Sequence, residues 1–173
     1  MGMDVYGVKP ENEDGEYFRR NVWGWRPLWM LVEYVAEELA NRVEYAQSND
    51  GDGLDAVDSK ALSLELLQGI EDGRVDLWIK EYDEFKAGLS TVDCNCCDAT
   101  GIRTDQIGIE AGWHDRKLDE EVAKKVGREF GSCNACNGLG QQDHSAKSYY
   151  TPEIECVQEF AKFLEHCGGF EIC

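Results

Sequence analysis

Positive charge is scarce in this chain: 17 Lys and Arg stand against 35 Asp and Glu, a formal net charge of -18 over 173 residues. That shortage argues against a protein that tracks extended nucleic acid, because binding a phosphate backbone takes clustered cations. Long hydrophobic runs are lacking as well. No segment approaches the roughly 18 uninterrupted apolar residues of a membrane span, and Met1 to Asp14 has no basic region followed by an apolar stretch. The chain therefore reads as cytoplasmic, with no membrane partner. Also missing are a P-loop, a Rossmann glycine fingerprint and a G-x-S-x-G elbow. No nucleophile and base stand at a recognisable spacing, so the expectation is that the protein is not an enzyme.

What is present is acid, unevenly spread. Residues 1–90 carry a net charge of -11, residues 91–150 only -3, and residues 151–173 carry -4. The nearly balanced middle holds Arg103, Arg116, Lys117, Lys124, Lys125 and Arg128, enough for a local positive face. A chain of this length buries about 70% of its unfolded surface and needs no disulfide for stability. Its 8 cysteines, in a reducing compartment, point to metal rather than to disulfides.

The periodicity predicts a mainly α (α+β) fold: a helical domain with a four-cysteine zinc-knuckle insertion. Residues 1–15 show no period and read as an irregular arm. Pro27 suits a first helical position, and Leu28, Leu31, Val32, Val35, Leu39 and Val43 extend that helix to about Ala46. The acidic turn from Asp50 to Asp55 precedes a second helix capped by Asp55 or Asp58, with Val57, Ala61, Leu64, Leu67 and Ile70 as its apolar side. A third helix runs from about Val75 to Ala87, with Trp78, Tyr82 and Phe85 on one face. Arg103 to Ile109 reads as a hairpin and Leu118 to Phe130 as a helix. Thr151-Pro152-Glu153 starts a last helix with Ile154, Val157, Phe160, Ala161 and Leu164 inward, and Phe170 to Cys173 returns as an edge strand or an extended tail. The expected organisation is an arm and helical region over 1–90, the insertion over 91–147, and a helix from 148–173 packing on the helical region.

Two cysteine motifs carry the strongest signal. Cys94-Asn95-Cys96-Cys97-Asp98-Ala99-Thr100-Gly101 and Cys133-Asn134-Ala135-Cys136-Asn137-Gly138-Leu139-Gly140 each hold C-x-x-C, a small residue two positions on and a glycine four positions on. Such a turn lets two sulfurs converge on one ion, and two turns complete a tetrahedral zinc site. Cys94, Cys97, Cys133 and Cys136 are the expected ligands of one structural zinc. Cys96 leaves an alternative pairing open, and Cys156, Cys167 and Cys173 read as small core residues or free thiols. The motifs resemble the cysteine-rich zinc region of DnaJ-type chaperones, whose repeats read C-x-x-C-x-G-x-G; Ala99 replaces the first glycine of the first motif. That resemblance covers about 16 residues, without a His-Pro-Asp tripeptide, and implies the local zinc geometry rather than chaperone activity.

Tyr17 to Trp29 interleaves aromatic faces with guanidinium groups. Arg19, Arg20, Trp23, Trp25 and Arg26 are candidates for stacking on a planar ligand and clamping its phosphate or carboxylate. The competing interpretation is that the tryptophans fill the core and the arginines pair with nearby acids. This run, with Asp4 to Gly7, Asn49 to Asp55 and Gly168 to Ile172, looks like a family of uncharacterised bacteriophage and bacterial proteins. The resemblance implies a phage or prophage context in a bacterial host cell and supplies no activity. The resulting expectation is a zinc protein that sequesters a nucleotide-like host signal, a form of host-defence evasion. The alternatives are an acidic interaction module that inhibits a host protein and an enzyme of unknown class. Asp50 to Ala61 lacks the inner ligand and bidentate Glu of a calcium loop, and His114, His144 and His166 are scattered.

Overall fold

The structure, a computed structural model, describes residues 2–173; Met1, the first residue of the expected arm, lies outside them. The chain divides into two compact units. One runs to Ala87 and resumes over Ser148–Cys173, and the other is Gly88–Lys147.

The first unit is α+β. Its sheet is built from β1 (Gly2–Gly7), β2 (Tyr17–Asn21), β3 (Asp52–Leu54) and β6 (Phe170–Ile172), all antiparallel in the order β2-β1-β6-β3. The expected irregular arm is thus an inner strand, and the acidic turn before the second helix holds an edge strand. The tail expected at an edge instead lies between β1 and β3. Only one to three apolar residues mark each strand, too few to stand out as a period in sequence. They share one face: Val5 sits opposite both Phe18 and Ile172, Leu54 opposite Phe170, and all five are buried.

Helix α1 (Val22–Val35) begins five residues earlier than Pro27 because Asn21 caps it, its side chain accepting from the Gly24 amide at 3.0 Å. Pro27 is inside the helix. The carbonyl that its missing N–H leaves free, that of Trp23, accepts instead from the Tyr150 amide at 3.0 Å. The helix does not reach Ala46: Ala36 leaves helical geometry, α2 (Glu37–Ala40) follows as a single turn, and Arg74 donates to the Val35 carbonyl at 3.0 Å.

Helix α3 (Ala56–Glu71) starts at Asp55, whose carboxylate accepts from the Val57 and Asp58 amides, both at 2.9 Å. Its inward face is Ser59, Leu62, Ser63, Leu66 and Gly69, not the stripe of Val57, Leu64 and Leu67, which is exposed. Small residues win the interior because α7 (Ile154–His166) packs closely there: Ser63 Oγ donates to the Ala161 carbonyl at 2.6 Å. Helix α4 (Arg74–Gly88) buries Trp78 and Tyr82, stacked 4.7 Å apart, and leaves Phe85 exposed.

The core centres on Trp25, Trp29, Phe160 and Phe163, all essentially inaccessible. Trp25 stacks on Trp29 at 5.7 Å and meets Phe160 edge-on at 5.8 Å, while its Nε1–H donates to the Ala46 carbonyl at 2.7 Å.

The second unit pairs β4 (Thr91–Asp93) with β5 (Gln141–Asp143). Between them, the predicted hairpin is a helical turn, α5 (Gln106–Glu110), because the Asp105 carboxylate caps it through the Gly108 amide. The predicted helix from 118 shortens to α6 (Glu120–Val126), ended by left-handed Gly127, while Lys117 and Phe130 form a bridge across it.

Trp25→Phe keeps a ring in the core but orphans the Ala46 carbonyl. A loss of about 1–3 kcal/mol for that acceptor is expected, plus a packing loss from the smaller ring, read as a lower urea midpoint with unchanged slope.

Candidate functional site

Each cysteine motif folds into a loop that aims two thiols at one point. The β4–β5 ladder sets the loops side by side, and just beyond it the Cys94 amide donates to the Gly140 carbonyl at 2.9 Å. In the first loop the Cys97 and Ala99 amides return to the Cys94 carbonyl at 3.3 and 3.0 Å; in the second, the Cys136 amide returns to the Cys133 carbonyl at 3.3 Å. The backbone then passes through left-handed conformations at Asp98 and Ala99, and at Asn137 and Gly138. This turn brings the Gly101 amide to 3.3 Å from Cys97 Sγ and the Gly140 amide to 3.3 Å from Cys136 Sγ. Both glycines have positive φ, and a Cβ on either would lie 2.3 or 2.2 Å from a carbonyl oxygen of the facing loop. No larger residue fits there.

The four Sγ atoms of Cys94, Cys97, Cys133 and Cys136 lie within 4.8 Å of one another, and all four residues are buried. Across the loops, Cys94 and Cys133 are 3.9 Å apart and Cys97 and Cys136 are 3.8 Å apart. A tetrahedral ion with thiolates at about 2.3 Å spaces its sulfurs about 3.8 Å apart, so this donor set could hold a metal ion. Cys96 is exposed and outside the group. Burial, with the neighbouring Cys94 and Cys136 thiols, pushes the Cys97 thiol up to about 12, while the Gly101 amide pulls it down. Binding a cation here therefore displaces protons. Burial also raises Cys156 and Cys167, which lie apart from the group.

Two arginines that the sequence offered only as surface charge brace the loops. Arg128 donates to the Gly138 carbonyl at 2.7 Å, and Arg103 joins the Asn134 side chain at 2.7 Å while pairing with Asp105 at 2.7 Å. Their acceptors are backbone and amide oxygens, which carry no mark in sequence. The histidines take no part in the group: His144 Nδ1 accepts from the Ala146 amide, and His114 and His166 lie beside acids.

The tryptophan and arginine run is not gathered into one pocket. Successive residues of a strand face opposite ways, so Arg19 and Arg20 diverge. Arg19 pairs with Asp4 on the outer face at 3.2 Å; Arg20 lies over the Phe18 ring at 5.5 Å and reaches Glu159 at 3.0 Å. Trp25 belongs to the core and offers no face to a ligand. Arg26 donates to the Tyr149 hydroxyl at 2.7 Å, and Trp23, 43% exposed, packs its ring 5.7 Å from Tyr149. An open cleft of about 420 Å³ does form beside Arg20, lined also by Asn21, Gly24, Tyr150, Glu153, Glu155 and Glu159. Its carboxylates outnumber its one guanidinium, which disfavours an anion.

Ala99 pays the cost of a left-handed φ of 61°, so Ala99→Gly is expected to stabilise the folded, metal-bound unit by about 1 kcal/mol and thereby to tighten metal binding about fivefold. Gly140→Ala, blocked by the Ala99 carbonyl, is expected to weaken metal affinity at least about tenfold. Competition against a chromogenic chelator measures both. Searches among family models, curated proteins and solved structures find no match for this chain.

Proposed function

We propose that this chain is a non-enzymatic binding protein in which zinc holds the Gly88–Lys147 unit folded, and the acidic helical unit captures and inhibits a basic protein. Zinc is the ion favoured by four thiolates at tetrahedral spacing. Its coordination is then saturated, with no open position for substrate, and its contribution is to folding, on the order of 10 kcal/mol.

The capture of a basic partner rests on one observation. Arg19, Arg20 and Arg26 are engaged with Asp4, Glu159 and Tyr149 inside their own unit. What that unit offers outward is carboxylate: it carries 25 acids against 10 Lys and Arg, a net -15. Such a field steers basic partners and repels anions. The resemblance of the tryptophan run to phage proteins would make the partner a bacterial host protein.

A second reading keeps a small ligand. Tyr150, 57% exposed, lines the Arg20 cleft and could stack on a planar group. The carboxylates of Glu153, Glu155 and Glu159 suit a neutral or cationic ring better than a nucleotide.

Metal analysis is expected to find one zinc per chain, lost in Cys133→Ala; retention of a full equivalent in the folded variant would remove the four-thiolate site. Affinity capture from a bacterial lysate is expected to yield a basic protein that elutes with salt, and recovery of no salt-sensitive partner would sink the inhibitor reading. Calorimetry against a nucleotide panel is expected to show no binding. Micromolar binding abolished by Arg20→Ala would put the small-ligand reading first.

A further inference from the structure

Helix α3 is apolar on both sides. Leu62 and Leu66 face the core between Ser59, Ser63 and Gly69, whereas Val57 is 76%, Leu64 68% and Leu67 42% exposed. With Ala61 between them, half-buried, these residues follow one another at spacings of four, three and three, so they form a continuous outward stripe. An apolar stripe of this kind on a surface helix is the pattern by which one helix lies along another. The inward face has its partner in α7, whereas the side chains of the outward stripe are exposed.

Charge selects the occupant. From Asp55 to Asp72 the chain holds five carboxylates and one lysine; Arg42 pairs with Asp58 and Arg74 with Glu65 and Asp72, so the surplus of acid belongs to the unit as a whole, whose net charge is -15. A second copy would bring two such surfaces together and is disfavoured by repulsion; a helix with basic flanks is favoured. We propose that the Val57–Leu64–Leu67 stripe of α3 is the docking surface for a basic amphipathic helix of the partner protein, with its apolar side on the stripe and its Lys and Arg toward the acidic surface of the unit. This rests on the acidic-capture reading above and names its surface.

The test uses the full chain and two synthetic helical peptides of about four turns. Both contain the same leucines and lysines, in one arranged as a single leucine stripe, in the other scattered around the helix. The striped peptide is expected to bind in a salt-dependent way, and at least about tenfold more tightly than the scattered one. Val57→Ser with Leu64→Ser, both at exposed positions and checked for unchanged circular dichroism and thermal midpoint, is expected to abolish that advantage. The docking surface is overturned if the double variant binds the striped peptide as tightly as the parent does. It is equally overturned if both peptides bind alike, although salt-sensitive binding of both would leave the acidic-capture reading standing. Sedimentation of the parent as a dimer that the double variant converts to a monomer would assign the stripe to a second copy and overturn it too. Failure of both peptides to bind at any salt concentration would overturn the stripe and count against acidic capture as well.

Discussion

The pairing of Val5 with Ile172 joins the two ends of the chain in the middle of one sheet, and much of the first unit depends on it. The Cys173 amide extends the contact to the Asp4 carbonyl at 2.8 Å. Closing so long a loop costs entropy that grows only slowly with length, and the burial of Met3, Val5, Phe18, Leu54, Phe170 and Ile172 on one face offsets it. That face and α7 then position Trp25, Trp29 and Phe160. With both ends committed, residues 88–147 leave and return as a closed excursion between α4 and Ser148. Their buried cluster consists of four cysteines. Sixty residues with so small an interior gain little from apolar burial, and the four thiols at its centre form a donor set that could hold an ion.

Arginine has a consistent use in this acidic protein. Arg74 satisfies the Val35 carbonyl where α1 breaks, and Arg128 satisfies that of Gly138 in the second cysteine loop. Arg19, Arg20 and Arg103 pair with acids that sheet, helix or loop bring beside them. These cations tie backbone and carboxylates together where the chain changes direction, and so the surface of the helical unit is left to its acids. Pro27 works to the same end by freeing the Trp23 carbonyl for Tyr150, which fastens the segment leading into α7 onto α1. The ligand pocket expected from the tryptophan run dissolves for the same reason: its arginines already have partners, and its most buried tryptophan is a core residue.

Local chemistry was legible wherever neighbours in sequence remain neighbours in space. The two C-x-x-C turns with their glycines, the cap at Asp55 and the apolar stripe of α7 are all of this kind, and each is where the residues indicated. Of the strands only Phe170 to Ile172 was legible, and then as an edge strand; spans of three to six residues with so few apolar positions show no period, and Asp52 to Leu54 reads as a turn until Phe170 to Ile172 lies beside it. The facing of α3 was misread because hydrophobicity favours Val57, Leu64 and Leu67 inward. Close contact of Ser63 with Ala161 and of Gly69 with Val35 demands small side chains at those positions, and contact distance prevailed over apolar content.

By itself, then, the amino-acid sequence determined the acidity, the four convergent thiols and the presence of the main helices, since these follow from composition and from spacings of a few residues. Tertiary structure alone decided which face of α3 is buried, that Arg19 and Arg20 point apart, that Trp25 is sealed in the core and that the chain ends meet. Each of those depends on a partner more than twenty residues away or on the pleat of a strand, and short-range pattern carries no record of either.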